Sequence, residues 1–117
     1  MNDEIQFGQY VRNAREASKV SLRKFAEKIE VTPTYLSKIE RLEITNPPSE
    51  QVIRLMAKEL KLDFDDLMIL AGRIPSELPD IINERPREMA SLLRTASKMS
   101  HEELHTLLHK MQKKDEQ

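Results

Sequence analysis

His101, Glu102 and His105 spell His-Glu-x-x-His, a spacing at which two imidazoles one helical turn apart can hold a metal ion while the carboxylate activates water. That chemistry needs a third ligand from another element and a cleft for substrate, and only twelve residues follow His105. His109 does not supply the ligand, because it lies about 12 Å beyond His101 along the same helix, too far for one ion to hold all three. The run Ser100-His101-Glu102-Glu103 also has the Ser-x-x-Glu form of a capping box, which accounts for Glu103, while Glu102 suits the positive start of a helix. The histidines then flank an apolar face that includes Leu104 and Leu108. We expect no catalysis, no bound metal and no cofactor.

Any site in this chain must be positioned by helices. The six Pro are concentrated in loops, the two Gly lie far apart, and Ala, Leu, Lys, Glu, Arg, Gln and Met dominate, a composition that predicts an all-α protein. A length of 117 residues suits one compact domain, or a small domain with a helical appendage. With no cysteine, neither disulfides nor thiolate metal sites can brace a loop-rich fold, and an intracellular setting fits best. No apolar run approaches the ~20 residues needed to cross a bilayer, and Met1-Asn2-Asp3-Glu4 lacks the features of a signal peptide. The expectation is a soluble cytoplasmic protein with no membrane partner.

Phe7, Val11, Ala14 and Ala17 follow the spacing of an amphipathic helix, with Arg12, Arg15 and Lys19 off the stripe. A second helix carries Leu22, Phe25, Ala26 and Ile29 behind a capping Ser21. After a gap of about two residues a third opens at Thr32-Pro33, cap then proline, buries Leu36 and Ile39, and stops before Ile44-Thr45-Asn46-Pro47-Pro48. A fourth starts near Ser49, and a fifth at Asp63 ends on Gly72. Beyond Ile74-Pro75 come a short element at Leu78–Ile82, a break at Pro86, a helix with Met89, Leu92, Leu93 and Ala96 on one face, and a last helix from Ser100 whose end, Lys113–Gln117, should fray. The domains are therefore expected at 1–73 and 74–117.

Small Ala26 lets the second and third helices approach closely, and Phe25, Ile29, Val31, Leu36 and Ile39 fix their crossing, so that the first turns of the third helix project outward. The segment Ser21–Glu40, SLRKFAEKIEVTPTYLSKIE, resembles the helix-turn-helix of the Cro/phage-repressor, or XRE, family of bacterial regulators, and the likeness runs from about Ile5 to Ala71. The resemblance implies a five-helix phage-repressor-like domain followed by a C-terminal helical hairpin. It implies double-stranded DNA as partner, with the third helix in the major groove. Carried over by position, Pro33, Thr34, Tyr35, Ser37 and Lys38 are the base-contact candidates, with Thr34, Tyr35 and Lys38 best suited to discriminate. Arg23, Thr32, Arg41 and Asn46 match places that commonly grip phosphate. For two of these residues a plainer role stays open: Tyr35 as packing against the second helix, Arg41 as a solvated helix end. The chain departs from the family at Glu30, usually a left-handed Gly, and at Leu22-Arg23, where a phosphate-binding Gln is frequent.

The net charge of −1 hides an asymmetry, since eight basic residues face four acidic ones from Arg12 to Arg41, whereas four face seven from Asn46 to Asn83. Solvated helix faces alone produce such patterns, but helix N-termini also bind phosphate, so a DNA reader need not be strongly basic. The apolar stripes of the last two helices need cover; they can pack on each other, but a two-helix hairpin has little interior, so a second copy is expected to cover them through Leu92, Leu93, Ala96, Leu104, Leu107, Leu108 and Met111, with the fifth helix as an alternative or additional dimer contact. The expected function is a dimeric repressor reading a palindromic operator. The alternative is an antitoxin-like or partner-binding module, facing a toxin or antirepressor, whose DNA binding is autoregulatory.

Overall fold

The computed structural model describes residues 6–115, leaving Met1–Ile5 and the last two residues outside the description. Among the described residues there are eight helices and no strand, and the chain divides into two units, Met1–Pro75 and Ser76–Gln117.

The first unit holds α1 (Phe7–Ala17), α2 (Leu22–Lys28), α3 (Pro33–Glu40), α4 (Glu50–Leu60) and α5 (Phe64–Leu70). Four starts are set by local side-chain chemistry: Ser21, Thr32, Ser49 and Asp63 each accept a hydrogen bond from the backbone N–H three residues on. The ends share one device as well. Lys19, Glu30, Leu42, Lys61 and Gly72 all adopt positive φ, between 56° and 72°. The next N–H then turns back to the fifth carbonyl before it, as in Val20 to Arg15, Val31 to Ala26 and Arg73 to Met68. Gly72 takes that conformation freely, whereas the other four residues take it against the steric preference of an L side chain.

Packing closes the unit around Val11, Phe25, Ala26, Ile29, Leu36, Ile39, Ile53, Met56, Leu67 and Met68, all nearly or fully buried, with α3 resting on α1 and α2, and α4 on α1, α2 and α5. Truncating a core side chain as large as Phe25 to alanine would cost about 3–5 kcal/mol. Ala17, expected on the inner stripe of α1, is exposed, and Arg15, expected outside it, is buried. The connection from α2 to α3 takes four residues, 29–32, because Ile29 caps α2 instead of continuing it.

The second unit contains α6 (Glu77–Glu84), α7 (Pro86–Ala96) and α8 (His101–Asp115). Pro86 opens α7 while Arg85 before it leaves the helical region, as a residue preceding proline tends to do. Ser100 and Glu103 cap α8 reciprocally: the Glu103 N–H donates to Ser100 Oγ at 3.1 Å, and the Ser100 N–H to Glu103 Oε1 at 2.9 Å. Helix α8 runs through Lys113 and Lys114, and the last two residues of the end expected to fray lie outside the described residues. No described residue of this unit is buried.

Candidate nucleic-acid interface

Helix α3 is held on three sides, leaving its N-terminal half outward. Thr32 Oγ1 accepts from the Tyr35 N–H at 3.1 Å, and Pro33 occupies the first helical position, where no N–H is needed. Leu36 and Ile39 lock the inner face into the core. On the outside, Pro33, Thr34 and Lys38 are exposed, while Tyr35 and Ser37 are half-buried and Tyr35 packs against the core. Tyr35 therefore has a packing role, with part of its surface left accessible.

The α2–α3 turn places Glu30 at φ 61°, so the left-handed residue that the family usually supplies as glycine is kept in conformation although the residue type differs. The Val31 N–H closes onto the Ala26 carbonyl at 3.0 Å, and Ala26 is fully buried beneath it.

The C-terminal end of α3 is tied down by charge. Arg15 Nε donates to Glu40 Oε2 at 2.8 Å and Nη2 to Oε1 at 3.0 Å, a two-point pair between side chains only 11% and 3% exposed. Arg15 Nη1 also donates to the Val20 carbonyl at 2.8 Å, so one guanidinium joins α1, the α1–α2 turn and α3. The Glu40 hydrogen bond raises the Arg15 pKa above its ordinary value against the opposing effect of burial, which keeps the guanidinium charged. Close by, Gly8 lets α1 touch α3: a Cβ there would collide with the Ile39 carbonyl oxygen.

The phosphate candidates lie around this frame. Arg23 is exposed on α2, and Asn46 is exposed in the loop after α3. Thr32 is exposed, although its oxygen already serves as the cap. Arg41 is exposed but engaged, with Nε 2.9 Å from Glu43 Oε2 and also directed at the Ser37 carbonyl.

In the second unit Leu92, Leu93, Leu104, Leu108 and Met111 are each between 42% and 53% exposed, with Ala96 and Leu107 half-buried. The rings of His101 and His105 stack with centroids 6.3 Å apart, while Glu103 is engaged in the capping box. Among the described residues no group of three His, Cys, Asp or Glu side chains is placed to hold a metal ion.

Two short helices joined through a left-handed turn, the second buried on one face and open along its first turns, define a helix-turn-helix. Residues 11–67 match the helix-turn-helix family model. Over 75 residues the chain is 36% identical to an uncharacterized HTH-type transcriptional regulator of Mycobacterium tuberculosis, a match covering 63% of this chain and 52% of the relative. The chain thus spans about half the length of that relative. SinR, the master regulator for biofilm formation, solved in complex with DNA, is 35% identical over 54% of this chain and 98% of its own, with a TM-score of 0.49. The SinR protein/SinI protein complex aligns over 96% of this chain and 100% of that one at 26% identity, TM-score 0.50. The chain belongs to the phage-repressor-like, XRE-type helix-turn-helix family of regulators.

Proposed function

We propose that this protein is a sequence-specific double-stranded DNA-binding regulator, acting as a homodimeric repressor that reads a palindromic operator with α3. The observation that carries this reading is the exposed set Pro33, Thr34 and Lys38 on a helix whose other faces are fixed by Leu36, Ile39 and the Arg15–Glu40 pair. Groups held that rigidly can enter the major groove without an ordering cost, Thr34 and Lys38 toward hydrogen-bonding base edges and Pro33 toward a thymine methyl. Arg23, Thr32, Arg41 and Asn46 set the register on the phosphates.

Dimerisation through the second unit, with Leu92, Leu93, Ala96, Leu104, Leu107, Leu108 and Met111 covered by the second copy, presents two α3 helices to half-sites about 34–36 Å apart. That none of its described residues is buried supports that need for cover. The same observation favours a second reading, in which a different protein, an antirepressor or a toxin, competes for these faces; SinR is known in complex with SinI. We assign no catalytic role. No described helix is long and apolar enough to cross a membrane, and we place the protein in the cytoplasm with its DNA.

Selection from random duplexes tests the reading, paired with sedimentation of wild type and a Leu104→Ser/Leu108→Ser variant. A two-fold-symmetric enriched site, and a dimer that the double variant converts to monomer, support the homodimeric repressor. No enriched duplex overturns the DNA reading, and a wild-type monomer that binds DNA overturns the dimer while favouring a heterologous partner.

A further inference from the structure

The loop between α3 and α4 carries Asn46 and ends on Pro47 and Pro48. Neither proline has an N–H to tie the loop down, and their carbonyls must find donors elsewhere. Arg73 supplies both, Nε donating to the Pro48 carbonyl at 2.6 Å and Nη2 to the Pro47 carbonyl at 3.2 Å, across 25 and 26 residues of chain. The arginine is itself anchored: it follows Gly72, at φ 72°, and its N–H closes the end of α5 on the Met68 carbonyl at 2.9 Å. Pro48 is buried, but Thr45 and Asn46 are exposed, and the loop borders an open crevice of about 380 Å³ with Phe7, Gly8, Ile44 and Leu70 on its walls. Packing secures the Pro48 end and leaves the Asn46 end poorly supported.

We propose that Arg73 is a positioning residue for DNA binding: its planar fork sets the Pro47 and Pro48 carbonyls, and through them holds Asn46 where the loop meets the phosphate backbone. The inference rests on the DNA-reading assignment above and extends it to a residue that need not touch DNA. With two of its donors spent on carbonyls, Arg73 acts by geometry, which an ammonium does not reproduce.

The test uses the full chain and a duplex selected with wild type, comparing Arg73→Gln, Arg73→Lys, Asn46→Ala and the Arg73→Gln/Asn46→Ala combination, with circular dichroism to verify folding. Arg73→Gln weakens binding on the order of 5-fold, the scale of one lost hydrogen bond, and Arg73→Lys does not restore it. In the Asn46→Ala background the Arg73 change costs less than about 2-fold, because the two act on one contact. Rescue by lysine, or losses that simply multiply, overturns the proposal while leaving the DNA reading intact. A wild type that selects no duplex overturns both.

Discussion

Arg15 and Glu40 meet as a buried two-point ion pair, 2.8 and 3.0 Å across its two hydrogen bonds, which joins the first helix to the last residue of the helix proposed to read DNA. Its desolvation cost is offset by near-ideal geometry and by the third bond to Val20, so it orients α3 more than it stabilises the fold. Removing one partner strands the other charge. Glu40→Ala or Arg15→Ala is expected to lose about 3–5 kcal/mol in urea unfolding, while the apolar double replacement Arg15→Met/Glu40→Leu returns close to wild type. Single losses below about 1 kcal/mol, the range of an exposed pair, would contradict the burial described.

Glu30 holds a left-handed conformation at φ 61° in the turn before α3. Glycine removes the steric cost there, at the expense of a more disordered unfolded chain. Glu30→Gly should raise stability by about 1 kcal/mol with DNA binding unchanged. Thermal unfolding measures this directly, and a lowered midpoint would show that Glu30 makes a compensating interaction.

Arg41 is restrained by Glu43, 2.9 Å away, on the side where phosphates are proposed to lie. Glu43→Gln frees the guanidinium and removes a like charge from the DNA. The variant is expected to bind duplex several-fold more tightly, with a salt dependence steeper by about one counterion. Equal salt slopes for the two proteins would remove Arg41 from the phosphate contacts.

Glu103 is fully exposed, yet its carboxyl is held below the usual carboxylate range, first by the Ser100 backbone N–H and then by the Ser100 hydroxyl. Because the folded value is the lower one, the contribution of this cap to α8 is complete above the ordinary carboxylate pKa and is lost as pH falls through the depressed value. The Glu103 carboxyl and Ser100 amide resonances should therefore titrate together, with a midpoint below that of an ordinary glutamate, and Glu103→Gln should abolish the Ser100 titration. Independent midpoints for the two signals would contradict the pairing.

Helix starts were legible in the sequence because capping is local: Ser21, Thr32, Ser49, Asp63 and Ser100 each meet a donor three residues away. Gly72 as the stop of α5 was legible for the same reason. The Arg15–Glu40 pair was hidden by residue type. Arg15 stands one turn after Val11 and Glu40 one turn after Leu36, so both occupy core positions, and opposite charges on two inward stripes were the available signal. Gly8, three residues before Val11, belongs to the same stripe and marks where α1 meets α3. The Arg73 fork had no such signal, because its partners are backbone carbonyls brought near only by the finished fold. In the second unit the apolar periodicity was readable, but periodicity says nothing about what covers a face, and all its leucines but the half-buried Leu107 remain exposed.

Whether α3 reads sequence is measured most directly by the ratio of affinities for a selected duplex and a scrambled one, at two salt concentrations, for wild type, Thr34→Ala/Lys38→Ala and Arg23→Ala. Loss of base contacts should reduce that ratio by about 1–3 kcal/mol for each good contact removed while weak, salt-sensitive binding survives, whereas Arg23→Ala should weaken both duplexes alike and flatten the salt slope. An unchanged ratio in the Thr34→Ala/Lys38→Ala protein would contradict the assignment of α3 as the reading helix.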